Sequence, residues 1–378
     1  MGAIDRIQSH LKKRPADLKQ AKSEGIKIVG YIPGGYFPEE LVLAAGAIPV
    51  CMIQGGDHTV VELSGEYVDR WLDTFCRAQI GYGISGEDPY YNMIDILFVP
   101  ITDNNTRVIS DTLDYFTDME IFPIGVPHTK DSGGYRYYRH GLMKVKTKLE
   151  DGMGVKIEGQ QLQSAIDLCN KERSLLKEIS LTRKNSTKIS AKDFVMLNHA
   201  SMLLDKAVFV AELVALADEL KSNAPTAKNG PRILLTGSTL AMGDHVVLDL
   251  IEEAGGTVVI EDFAEGIKPY WCNVKTTGDP MDALAEAYFM DRVVPAWFRP
   301  GIERHKHLIQ MVSDFDVSGV IWYQLMYREA YKLESYYFPE ILKKETGLSM
   351  LTLESDYDPS ETGQIRTRIE TYIDSIRG

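Results

Sequence analysis

The chain has 378 residues, 44% of them apolar, and a formal charge of -13 with acidic and basic residues interleaved. That composition excludes a disordered chain and allows a buried core large enough for two domains. A surface of this sign repels polyanions, so nucleic acid is not an expected partner, and no run of eighteen apolar residues marks a membrane span.

The opening "MGAIDRIQSHLKKR" has charges where a signal peptide needs an apolar stretch, and Arg6 breaks the myristoylation pattern. A cytoplasmic protein without membrane attachment is expected. Residues 1 to 25 read as a helical preamble docked on the surface or on a partner.

Apolar runs bounded by turn residues predict buried strands at "IKIVGYI" (26 to 32), "IPVCMI" (48 to 53), "ILFVPI" (96 to 101) and "EIFPIGV" (120 to 126). Between the first two, Pro38 and two glutamates open a helix that Gly46 closes. Long helical patterns follow, including "LQSAIDLCNKERSLLKEISLTR", and "SNAPTAKNGP" (222 to 231) reads as a linker. The second half repeats the order of the first, with "RILLTGS" (232 to 238), "TVVIEDF" (257 to 263), "GVIWYQLMY" (319 to 327) and "LSMLTLES" (348 to 355). Strands alternating with helices imply an α/β fold of two similar, doubly wound parallel-sheet domains. The expected division is a first α/β domain at 26 to 133, a helical region at 134 to 225 and a second α/β domain at 226 to 378.

In open parallel sheets, ligands sit beyond the carboxyl ends of the strands. The loop "IPGGYFP" places Gly34 and Gly35 there, which serve either a tight turn or the close approach of a ligand to the backbone. Its counterpart "TGSTLAMGDH" offers Gly237 and Ser238 as a generic anion or amide site. After the third strand, "PITDNNTR" sets Thr102 and Asp103 either as helix-capping groups or as site residues. The matching point in the second half carries Tyr327, Arg328 and Glu329, and two strand ends facing one cleft would bring Thr102 and Tyr327 together.

Neither a G-x-G-x-x-G fingerprint at the first loop nor a Walker P-loop occurs, so no nucleotide is expected on this chain. The four cysteines are widely spaced without a CxxC pair, His305 and His307 point to different faces of a helix, and no nucleophile elbow follows a strand. His58, His128 and His245 lie near strand ends, where a surface histidine is the simpler reading.

Six segments in order, "GYIPGGYFPEELVLAAGAIPV", "LDTFCRAQIGYG", "LFVPITDNNTR", "LDLIEEAGGTVVIED", "GDPMDALAEAY" and "GQIRTRIETYIDSI", resemble the benzoyl-CoA reductase and 2-hydroxyacyl-CoA dehydratase family, in its HgdB-like subunit. The resemblance implies flavodoxin-like or Rossmann-like halves and a heterodimer whose subunits each hold an iron-sulfur cluster in the interdomain cleft. It also implies an ATP-hydrolysing activator that delivers one low-potential electron, which reduces an acyl-CoA thioester to a ketyl radical.

Of the cysteine positions that the resemblance implies, only Cys76 is kept here. The first loop has none, Thr102 precedes Asp103 at the third strand, and Tyr327 stands at the late site. A 4Fe–4S cluster needs typically four thiolates, or three and one other ligand, and hydroxyl oxygens are poor replacements. Cys51 and Cys169 fall in predicted core positions, and Cys272 is the other thiol in a loop. The cluster is therefore expected in the complex, on a homologous cluster-bearing subunit, with Cys76 the single metal-ligand candidate here. The acyl-CoA thioester is expected in the cleft, with Tyr36, Thr102 and Tyr327 as catalytic candidates and Gly34, Gly35, Asp103, Gly237, Ser238 and Lys268 as substrate-binding candidates. Lys268 and Arg299 read either as contacts for CoA phosphates or as solvated charges. The alternative is a non-catalytic structural or binding paralogue that has lost the cluster; a two-domain binding protein of another family is a third reading, which the motif order disfavours.

Overall fold

The computed structural model describes residues 2–86, 88–185, 188–222 and 230–377. All eight expected strands form: β1 (Ile28–Tyr31), β2 (Ile48–Cys51), β3 (Ile96–Ile101), β4 (Glu120–Gly125), β5 (Arg232–Gly237), β6 (Thr257–Asp262), β7 (Gly319–Leu325) and β8 (Met350–Ser355). They make two four-stranded sheets of matching order, β2-β1-β3-β4 and β6-β5-β7-β8. Every pairing is parallel.

The burial follows from this order. All seven residues of β7, an inner strand, are buried, as a strand covered on both faces requires. Edge strand β4 buries only Ile124 fully and accepts the exposed Pro123, which has no N–H for a further neighbour. Pro100 sits in inner strand β3, but β1 pairs with β3 only as far as Phe98, so Pro100 lies past that ladder.

The helices Ser132–Met153, Gly159–Thr182, Ala191–Leu203 and Lys206–Ser222 fill the middle of the chain. The first helix, Ala3–Ser23, buries Ala3, Ile7, Leu11 and Leu18 at helical spacing. It packs on the helix Lys206–Ser222, where Arg6 meets Glu212 at 2.8 Å. The preamble is thus docked on the chain's own helical region. Most of the expected linker lies outside the described residues. Among the described residues no helix is long and apolar enough to cross a membrane.

In each sheet the strand order reverses between the two inner strands, which leaves a crevice at their carboxyl ends. The two sheets present these ends to each other. Backbone hydrogen bonds join Gly55 N–H to the Met242 carbonyl and Met242 N–H to the Ile53 carbonyl, both at 2.9 Å. The loops after β1, β3, β5, β6 and β7 therefore meet in one cleft.

Candidate functional site

The cleft has a volume of about 660 Å³. Gly34, Tyr36, Thr102 and Asp103 line it from the first half, and Ser238, Lys268 and Arg328 from the second. The glycine pair turns the chain out of β1 with φ of 147° at Gly34 and 83° at Gly35. At Gly35 a side chain would be strained by this φ, and its Cβ would lie 2.9 Å from Arg292 Nη1 and displace the end of that arginine.

Tyr36 is buried, its ring stacked on Phe298 at 5.7 Å, and its carbonyl accepts the Tyr138 hydroxyl proton at 2.7 Å. Burial raises its pKa above the ordinary tyrosine value, so the phenol stays protonated and can donate. Glu39 and Glu40 of the next short helix face the helical region: Glu40 accepts from Tyr288 at 2.8 Å and pairs with Arg173 at 2.5 Å.

At the end of β3 the Thr102 N–H donates to Thr106 Oγ1 at 3.0 Å. Asp103 caps the helix Asn104–Phe116, accepting from Thr106 N–H at 3.0 Å. Its other oxygen meets Arg328 Nη2 at 2.7 Å, so the same carboxylate also links the halves. Arg328 Nη1 lies 3.3 Å from Asp73 Oδ1, and Asp73 caps the helix Thr74–Ser85 by accepting from Cys76 N–H at 2.9 Å. One guanidinium from the second half thus sits between two carboxylates of the first.

This geometry corrects the expected meeting of Thr102 and Tyr327. Tyr327 has φ 64° and turns away to pack edge-on against Trp71, ring centres 5.4 Å apart. It is absent from the cleft lining, and its neighbour Arg328 makes the contact instead. Gly237 also has a packing explanation: a Cβ there would lie 1.5 Å from the Tyr323 carbonyl oxygen. Arg299 is exposed, its N–H bonded to the His128 carbonyl, and neither it nor any histidine lines the cleft.

On the second-half wall, Ser238 Oγ accepts the Leu325 N–H at 2.9 Å, which leaves its own proton free. Glu265, unmarked by any sequence motif, is buried beside it with the Leu240 N–H at 3.4 Å. Burial pushes its pKa up to about 7, the condition of a group that both holds and releases a proton at neutral pH. Arg292 also carries no sequence signal. It enters after a π-helical turn at Glu286–Met290, in a segment without the periodicity that marks a helix face. Asp73 had one readable signal, an aspartate just before a helical run.

Beyond the glycine loop lies a second chamber of about 580 Å³, which shares Pro33, Gly34 and Arg292 with the cleft and includes Gly35 in its lining. Apart from Arg292 its charges are mutually satisfied, with Lys206 held by Glu39 at 2.6 Å and Glu172 at 2.9 Å and Arg173 paired with Glu40.

The donor set does not fit an iron-sulfur cluster. Cys76 is fully buried and its thiol donates to the Asn105 carbonyl at 3.2 Å. Burial, and then the Asp73 carboxylate, push its pKa well above the ordinary thiol value, so it is not a ready thiolate. Cys51 and Cys169 are buried in β2 and in the helix Gly159–Thr182, and Cys272 is exposed on a loop outside the cleft lining. The polar atoms left unpaired around Cys76 are Asp73 Oδ2 and Arg328 Nε, with the Tyr357 hydroxyl near Asp73. These are hard oxygens and a cation, where a cubane needs soft thiolates. Among the described residues no three His, Cys, Asp or Glu side chains gather to hold a metal ion.

Residues 35–376 match the family described as 2-hydroxyglutaryl-CoA dehydratase, D-component. The chain is 27% identical over 361 residues to the putative dehydratase subunit YjiM of Escherichia coli strain K12, covering 94% of this chain and 93% of that one. It is 24% identical to the (R)-phenyllactyl-CoA dehydratase beta subunit of Clostridium sporogenes, over 95% and 94% of the two chains. With a benzoyl-CoA reductase subunit of Thauera aromatica the identity is 22%, over 93% and 91%. The resemblance carried by the six sequence segments holds along the chain, which belongs to the 2-hydroxyglutaryl-CoA dehydratase D-component family.

Proposed function

We propose that this chain is one subunit of an ATP-activated, low-potential one-electron acyl-CoA dehydratase or reductase, and that it binds the acyl-CoA thioester in the cleft between its two α/β domains. The observation that carries this reading is the cleft itself. It gathers hydroxyls from the strand ends of both sheets and cations from the second half, and no cysteine is among its lining residues, Cys76 being buried behind it. The division into α/β domains at 26 to 133 and 226 to 378, with a helical region between, belongs to the same proposal.

In this reading the cluster sits on a homologous partner subunit, served by a separate activator. This chain's part is to bind and orient. Tyr36 and Thr102 offer hydroxyl protons toward a thioester oxygen that gains charge, the role of an oxyanion hole. Glu265 holds a proton beside them, available to a departing hydroxyl. Asp103 and Arg328 fix the two walls at one separation.

One feature favours the alternative, a binding or structural paralogue without catalysis: the Arg328 bridge fills the space beside Cys76 with a fixed charge pair. Equilibrium binding of CoA thioesters to the chain, alone and co-purified with its partner subunit, separates the two. Saturable binding that weakens in Thr102→Val and Tyr36→Phe supports the proposal. Absence of binding in both preparations contradicts it.

A further inference from the structure

The cations facing the cleft are not equivalent. Arg328 is spent on Asp73 and Asp103. Lys268 and Arg292 are not. Lys268 is 9% exposed, and no side-chain hydrogen bond or ion pair of its ammonium exists among the described residues, although it lines the cleft wall. The nearby carboxylates do not take this charge in a direct pair. Asp262 feels the field of the ammonium but also lies 3.4 Å from His307 and 3.7 Å from Arg304, and burial pushes the Glu265 pKa up to about 7.

Arg292 has the same standing. Its guanidinium lies over the Tyr288 ring at 4.4 Å, and its Nη1 occupies the space that a side chain at Gly35 would fill. Stacking satisfies the face of a guanidinium and leaves its N–H edge for a planar or tetrahedral anion. The same cleft is lined by Ser238, with its proton free, and Thr239, buried and without a hydrogen-bond partner among the described residues. A nearly buried ammonium without a paired counter-charge is costly in any protein, and most of all in one whose net charge is -13 and which has carboxylates to spare.

We infer that Lys268 and Arg292 form an oxyanion-binding subsite on the second-half wall of the cleft, built to take one carboxylate or phosphate group of the ligand. The subsite deepens the acyl-CoA reading and rests on it only for the identity of the anion, which is either a phosphate of CoA or a free carboxylate at the far end of the acyl group. A side chain at Gly35 would displace the guanidinium that reads the anion, in addition to the strain that its φ of 83° imposes.

The full-length chain is titrated calorimetrically with inorganic phosphate, adenosine 3′,5′-bisphosphate and succinate, and the titrations are repeated with Lys268→Met, Lys268→Gln and Arg292→Gln. Circular dichroism confirms the fold of each variant. Saturable binding of at least one anion, weakened about tenfold or more by a folded Lys268 variant and by Arg292→Gln, is the expected result. Preference for the phosphates assigns the subsite to CoA, and preference for succinate assigns it to the acyl group; both support it. No saturable binding, or binding that the folded variants leave unchanged, overturns it. If CoA thioesters bind but these anions do not, the subsite fails and the acyl-CoA reading stands. If the anions bind and CoA thioesters do not, the reverse holds.

Discussion

Arg328 at the end of β7 reaches Asp103 at the end of β3 with a 2.7 Å ion pair, and so ties the carboxyl ends of the two sheets together across the cleft. Both side chains are nearly buried, and the second carboxylate, Asp73, is fully so. Removing the cation leaves two carboxylates facing each other without a counter-charge. Arg328→Met is expected to cost about 3 kcal/mol of stability, read as a lower urea midpoint. A midpoint equal to wild type would show that the bridge holds nothing.

Glu265 gives a pH signature whose sign is fixed. Its carboxyl titrates near 4.5 when unfolded and about 7 when folded, so in that window the folded chain binds more protons. Its stabilising share is complete below pH 4.5 and lost as pH rises through 7. The buried Asp244 and Glu172 carboxyls are pushed up to about 7 as well, and they cancel when Glu265→Gln is compared with wild type. Over this window, wild type should lose about 3 kcal/mol more stability than the variant. A stability difference independent of pH contradicts the assignment.

Two of the three site glycines marked from sequence, Gly35 and Gly237, should part company on substitution. Gly237→Ala drives a Cβ to 1.5 Å from a backbone oxygen and is expected to yield no folded protein. Gly35→Ala meets positive φ and the end of a flexible arginine, so it should fold with a loss of about 1–2 kcal/mol. Expression and thermal melting of both variants test this contrast.

Thiol chemistry reports on the pocket behind the cleft. In the folded chain iodoacetamide should label Cys272 and spare Cys51, Cys76 and Cys169, which are buried. Arg328→Met should raise labelling at Cys76 by loosening the helix that carries it. Peptide mass spectrometry after a timed pulse reads both, and rapid native labelling of Cys76 would contradict the buried, protonated thiol.

Much of this fold was readable because continuous apolar runs such as "GVIWYQL" suit strands covered on both faces. The repeated strand order then pointed to loops 34 to 36, 102 to 103 and 238, all of which border the cleft or the chamber beside it. Side-chain direction at the strand ends was not readable. Tyr327 turns away because its backbone enters the left-handed region, a local event that no periodicity announces. Arg292 and Glu265 come from irregular segments, and their roles arise from the distant residues that they meet. The capping role of Asp103 was legible, whereas its ion pair with Arg328 depends on how the two halves dock.

In the proposed function this chain shapes the cleft while another subunit supplies the redox centre. Iron and acid-labile sulfide per chain, measured with visible and EPR spectra after anaerobic purification, test it most directly, for the chain alone and for the two-chain complex. The expected result is no stoichiometric iron on the isolated chain and about four irons per complex, one cluster's worth. About four irons on the isolated chain, with the spectrum of a 4Fe–4S cluster, would contradict it.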